Sequence, residues 1–191
     1  MHSTSESPVI DSSAGLRRPR PMVFLHWATA LLIALVIGIA FVRDGVEEKA
    51  LRATLMNIHR SIGLTIALLA MARIVVRLAH RPLPPTGDMS PLARLAAELA
   101  HLALYVLLMA LPLIGWALSC AHGKPVSLFG LVTLPVIVEE DEDLADDLAE
   151  YHENAAWLLI GLVGVHAAAA LYHHFVRRDN VLRAMLPARQ S

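Results

Sequence analysis

Among side chains, imidazole is the commonest metal ligand and the one that changes charge nearest neutral pH. The stretch YHENAAWLLIGLVGVHAAAALYHH, Tyr151 to His174, carries His152 and His166 within a run that is otherwise apolar. On an α-helix of about 1.5 Å rise and about 100° per residue, fourteen positions place these two rings roughly 21 Å apart and about 40° out of register. They share one face at opposite ends of a segment long enough to cross a bilayer. Two further histidines, His26 and His59, stand in apolar surroundings upstream. A single zinc ion would need its ligands clustered around one tetrahedral centre, so this spacing points away from structural zinc. Cys120 is the only cysteine, which excludes an intramolecular disulfide and a thioether-linked group of the Cys-x-x-Cys-His kind.

The elements that must position these rings are membrane helices. Of 191 residues, 56% are hydrophobic and only 17% charged, and mean hydropathy is +0.55, well to the apolar side of an ordinary soluble chain. Four segments, about 22–42, 55–79, 97–119 and 152–175, reach the roughly 20 apolar residues that a span requires. The first, MVFLHWATALLIALVIGIAFV, is too long for a signal-peptide core and lacks a small-residue cleavage site, so it reads as a retained anchor. Residues 1–20 read as a disordered tail, RPLPPTGDMSP as a Pro-broken loop and 179–191 as a second tail. The fold class expected is an all-α, up-down-up-down bundle of four transmembrane helices over 21–178.

Basic residues set the orientation, because positively charged flanks stay on the cytoplasmic side. Arg17, Arg18 and Arg20 precede the first span, Arg73, Arg77, Arg81 and Arg94 surround the middle loop, and Arg177, Arg178, Arg183 and Arg189 follow the last. Both termini and the middle loop are expected on the cytoplasmic side. The arginines follow the membrane flanks, so no nucleic-acid surface is expected.

With that topology the histidines fall into depths. His26 lies about one turn into the first span, and His166 lies roughly 9 Å from the same end of the fourth. His59 and His152 open the second and fourth spans at the outer end. The pairs His26/His166 and His59/His152 are what a helical bundle needs to hold two non-covalent b haems, each iron between two neutral imidazoles. A lone histidine near a helix end is more often an interfacial residue with its tip in water. Matching by depth is what favours ligation here, and the burial of His166 adds to it. His101 is the second choice to His26 for the inner iron. Gly63, Gly161 and Gly164 leave room beside the rings for a flat macrocycle or for close helix packing. Arg73 and Arg77 could meet haem propionates or a quinone, or snorkel to headgroups.

FLHWATALL, MNIHRSIGLTI, HLALYVLLMALPLIGW, GKPVSLFGL, YHENAAW and GVHAAAALYHHFVRRDNVLRAMLP resemble, in this order, the bacterial cytochrome b561 family. The resemblance implies a four-helix membrane cytochrome with two b haems, and in that family the ligands occupy the positions of His26, His59, His152 and His166. The family includes an enzyme that oxidises superoxide to O2 outside the inner membrane and reduces ubiquinone. The resemblance therefore implies superoxide, ubiquinone or ubiquinol and the lipid bilayer as partners, with a protein redox partner as an alternative.

An anionic substrate gains on-rate from a positive field. Arg43, Lys49, Arg52, Arg60 and Lys124 are placed to supply it on the outer face, whereas the acidic run from Glu139 to Glu150 is expected as a loop on the same face. That run could repel superoxide, or dock a basic protein. Two other classes stay open: a quinol-linked electron-transfer module or anchor subunit of a larger dehydrogenase or hydrogenase, and a non-redox carrier of metal or protons along a histidine relay.

Overall fold

A computed structural model of the chain describes residues 19–80 and 90–186. It contains four long helices, α1 (Arg20–Asp44), α2 (Lys49–Ala79), α3 (Pro91–Ala121) and α4 (Glu142–Tyr172), and a two-residue-per-strand hairpin, β1 (Ser127–Leu128) with β2 (Val132–Thr133), between α3 and α4. All four helices are long and apolar enough to cross a membrane. The chain is a four-span membrane protein. Most of residues 1–20, most of RPLPPTGDMSP and the last five residues lie outside the described residues.

Local chemistry fixes the helix ends. α1 carries Pro21 in its first turn, where a missing N–H costs nothing, and ends at Gly45. Ser90 accepts a hydrogen bond from Ala93 N and precedes Pro91 at the start of α3. α3 stops where Gly123 takes φ +65°, a backbone region that favours glycine. Asp141 caps α4 by accepting from Leu144 N, and Glu142 and Asp143 in the first turn face the positive end of the helix dipole. Pro112, inside α3, removes one ladder donor, which neighbouring helices tolerate in a membrane bundle. Beyond Tyr172 the chain widens into a π-helical turn, His173–Arg177, and breaks at Arg178 with φ 54°.

The acidic run differs from its expectation. Residues from Glu142 through Glu150 are the N-terminal turns of α4, not a loop. Asp141 N donates to the Ala121 carbonyl, so these turns start beside the end of α3, and Ala145 is buried. The capping chemistry just described extends the helix ten residues past its apolar segment.

α1 packs chiefly on α2 and α3 on α4, with α2 and α3 joining the two hairpins. The core they enclose, Ile33, Ile62, Ile66, Ala70, Leu107, Leu108, Leu111 and Leu159, forms a middle layer. Leu159 falls halfway between His152 and His166 in the chain, so this layer separates the two ends at which histidines gather. Outward faces carry Phe24, Leu31, Leu68, Leu113 and Val165, exposed as lipid-facing side chains must be. One end of the bundle bears the α1–α2 and α3–α4 connections; the other bears both chain ends, where Trp27 Nε1 donates to Met185 O at 2.6 Å and ties residues 183–186 to α1.

Candidate functional site: paired imidazoles and the cavity between them

The structure brings the four candidate histidines together in two pairs. At the connecting end, His59 on α2 faces His152 on α4 with ring centres 6.3 Å apart; at the terminal end, His26 on α1 faces His166 on α4 at 6.2 Å. An iron held axially between two imidazoles needs about 6 Å between ring centres, from roughly 2 Å of metal–nitrogen bond and about 1.1 Å from nitrogen to ring centre on each side. Both pairs meet that spacing. His101 stands closer to His166, at 5.3 Å and 85° between planes, and its Nδ1 is within 2.6 Å of the Ala97 carbonyl. Edge contact at that distance leaves too little room for a metal between those two rings.

Around His59 and His152 lies a cavity of about 630 Å³, within the range of cofactor pockets. Its walls are mostly apolar, including Phe41, Trp116 and Trp157. Gly63 opens onto it, and a Cβ built there meets nothing within 4 Å, so the space expected beside this glycine exists. Gly161 and Gly164 likewise face open space. The fit to a haem is therefore one of spacing, volume and apolar lining together.

Gly115 escaped the sequence reading. A Cβ at this position of α3 would stand 3.2 Å from Cε1 of His152, so the missing side chain leaves room for the ring beside the helix. Its signal was the glycine in LPLIGW, legible only once α3 is known to lie beside His152. Arg73 lies over the Tyr105 ring at 5.3 Å, a cation–π contact, while Arg77 is exposed. His173 Nδ1 donates to Asp179 Oδ2 and Val181 N donates to Asp179 Oδ1, which folds the chain back after the π-helical turn.

A second, more open cavity of about 1050 Å³ adjoins the first at the connecting end. Arg43, Lys49, Arg52, Arg60 and Lys124 all line it, and Arg43, Arg60 and Lys124 line both cavities. None of the acidic residues 139–150 is on its wall. Glu140 is instead packed against Gly123, where an added Cβ would meet its carboxylate at 2.8 Å. The basic residues thus form a bowl leading to the imidazole pair, with Arg43 paired to Asp44 at 2.6 Å and Asp44 and Glu153 on the wall of the imidazole cavity, while residues 139–150 do not line the bowl.

The prokaryotic cytochrome b561 family model matches residues 17–188. The chain belongs to that family. It is 34% identical over 167 residues to cytochrome b561 homolog 2 of Escherichia coli (strain K12), covering 84% of this chain and 86% of that one. It is also 34% identical over 167 residues to the probable superoxide oxidase CybB of Yersinia pestis, covering 87% and 94%. Cytochrome b561 homolog 1 of Escherichia coli (strain K12) is 32% identical over 184 residues, 91% and 99% of the two chains. As a cytochrome b561 the protein is a bacterial membrane electron-transfer protein of a family that binds b-type haem. The non-redox carrier reading falls with that membership.

Proposed function

We propose that this cytochrome b561 holds two b haems, one between His59 and His152 and one between His26 and His166, and moves electrons from superoxide to ubiquinone across the inner membrane. The observation that carries the reading is the basic bowl opening on the His59/His152 cavity, because it matches an anionic donor at that end. The distribution of arginines supports an outward orientation for the bowl and a cytoplasmic one for both termini. The Yersinia pestis relative carries the name probable superoxide oxidase, which supports the same donor.

Bound haem would supply one-electron chemistry, and the protein supplies position and field. Two superoxide ions each give up one electron and leave as O2; ubiquinone takes both electrons and two protons to become ubiquinol. Arg43, Lys49, Arg52, Arg60 and Lys124 raise the local concentration of the anion, whereas the neutral product is not retained. The middle layer of Ile33, Ile66, Leu108, Leu111 and Leu159 keeps water out between the two centres. His101 lies beside the inner pair, with its ring centre 5.3 Å from that of His166, and is not assigned a haem in this reading.

A second donor is favoured by the acidic turns of α4, which present exposed carboxylates to a basic protein at the same end. One experiment separates the two. Oxidised protein is mixed with a superoxide source and excess ubiquinone, following the haem α-band and quinol together. Rapid haem reduction with quinol accumulating is expected. Haem that superoxide leaves oxidised but ubiquinol reduces would replace superoxide with a protein partner.

A further inference from the structure

Residues 125–138, PVSLFGLVTLPVIV, join α3 to α4 without a single charged side chain, although the segment is bounded by Lys124 and by Glu139 and Glu140. A connection outside the four spans is ordinarily polar, since loops face water. This one is apolar and shows its apolar side chains outward: Leu131 is 84% exposed and Val136 73%, with Phe129, Val132 and Ile137 also exposed. A contiguous exposed patch of this kind marks a surface that something covers.

Its depth says what. The hairpin is fastened to α2 through Ser61, which donates to Ser127 O at 3.1 Å and accepts from Phe129 N at 2.9 Å. It is fastened to α3 through Trp116 Nε1, which donates to Pro135 O at 3.1 Å. The Ser61 fastener lies where charge ends on α2, and the Trp116 fastener lies in a stretch of α3, 99–121, free of Asp, Glu, Lys and Arg. Ser61 follows Arg60 and opens a stretch, 61–72, free of Asp, Glu, Lys and Arg. Trp116 is next to Gly115, which touches His152, and Glu153 is the last acidic residue on α4 before the uncharged stretch 154–176. The loop therefore returns along the flank of the bundle to the level of the membrane boundary, where tryptophan itself is favoured.

Non-helical backbone at such a depth must pair its polar groups. Here Leu131 N donates to Leu128 O at 3.0 Å, Leu134 N donates to Val126 O at 2.8 Å, and β1 pairs with β2. The remaining wall, formed by Pro125, Ser127, Phe129 and Gly130, lines the basic bowl.

We propose that the 125–138 hairpin is an interfacial membrane anchor, lying in the headgroup and upper acyl layer at the connecting end with Leu131 and Val136 among lipid. It forms the lipid-side wall of the bowl and holds the mouth of the bowl at the membrane surface. The inference rests on burial, charge pattern and tethering, and is independent of the haem assignment.

The test places single cysteines at Leu131 and Val136 in a Cys120→Ser background, labels them with bimane, and reconstitutes the full chain in phosphatidylcholine–phosphatidylglycerol nanodiscs. Leu68→Cys, on the lipid-facing flank of α2, and Asp146→Cys, on the acidic turns of α4, set the lipid and water limits. Quenching at 131 and 136 by brominated acyl chains to an extent comparable with Leu68→Cys, with several-fold less iodide quenching than Asp146→Cys, is expected. Iodide quenching equal to Asp146→Cys would place the loop in water and overturn the proposal; shielding from both quenchers would put a second protein surface there and overturn it equally. Hydroxyl-radical footprinting of the unsubstituted chain in the same nanodiscs gives a second readout: peptide 125–138 should be oxidised several-fold less than its exposure dictates, and full oxidation would refute the assignment.

Discussion

His152 and His166 belong to one helix but to different pairs, so the two centres can be separated by substitution. On the proposed assignment of one haem to each pair, His166→Ala should lower haem content to about half by pyridine haemochromogen assay, because the His59/His152 pair is left intact. Retention of both haems would overturn the assignment of His166 as a ligand. At the far end of α4 a carboxylate is open to a pH test. Burial acts to raise the Asp179 pKa, but hydrogen bonds from His173 and Val181 and the nearby His173 and Arg177 charges outweigh it and hold the group below its ordinary value of 3.8. A carboxylate with a depressed folded pKa contributes stability that is complete above the unfolded value and is lost as pH falls through the folded one. Thermal unfolding of the parent chain and of Asp179→Asn should therefore differ at pH 6 and converge only as pH falls below the ordinary carboxylate range. The difference is small, since the group is near the surface.

The inter-helix hairpin is tied to α2 through one buried hydroxyl. Ser61 satisfies one backbone acceptor and one backbone donor of the hairpin while 2% exposed itself, so Ser61→Ala leaves both at the bundle flank without that partner. The expected cost is about 1–3 kcal/mol in unfolding free energy in detergent or nanodiscs, the usual penalty of an unmet buried polar group. An unchanged unfolding midpoint would show that Ser127 and Phe129 find water instead. Element boundaries were partly legible beforehand: apolar length located all four helices, because a span must match the hydrocarbon thickness. The start of α4 was not. Charged residues beyond an apolar span can be loop or helix, and the decision at 141–150 rests on the Asp141 cap and its anchorage to Ala121.

At the connecting end basic side chains gather around the bowl, although Arg43 is paired with Asp44 at 2.6 Å and both Asp44 and Glu153 line the His59/His152 cavity. Five basic side chains face the bowl beside the His59/His152 cavity, and the acidic turns of α4 do not line it. Because exposed charges are screened over about 8 Å at physiological ionic strength and about 30 Å at 0.01 M, superoxide-driven haem reduction should slow several-fold between 10 and 150 mM salt. Arg52→Glu combined with Lys124→Glu should lower the low-salt rate and flatten that dependence, as followed by stopped-flow at the α-band. A rate indifferent to salt in the parent chain would remove steering from the mechanism. Summing acidic and basic residues along the sequence, which gives a net charge of −1, would not have revealed this gathering.

What the sequence determined by itself was everything governed by distance along an axis. A rigid rise of about 1.5 Å per residue, combined with a membrane of fixed thickness, places each histidine at a depth, and depth sorts His59 and His152 to one end of the bundle and His26, His101 and His166 to the other. Azimuth and lateral neighbours depend on how separate helices turn toward one another, and those only the tertiary structure decided. It laid Gly115 against the His152 ring, set His101 edge-on to His166 at a spacing unsuited to a shared iron, and gathered Arg43 with Lys124 although 80 residues separate them. It also folded an uncharged connection back onto Ser61 and Trp116. Such contacts join residues distant in the chain, and no periodicity in one segment encodes which segment will lie beside it.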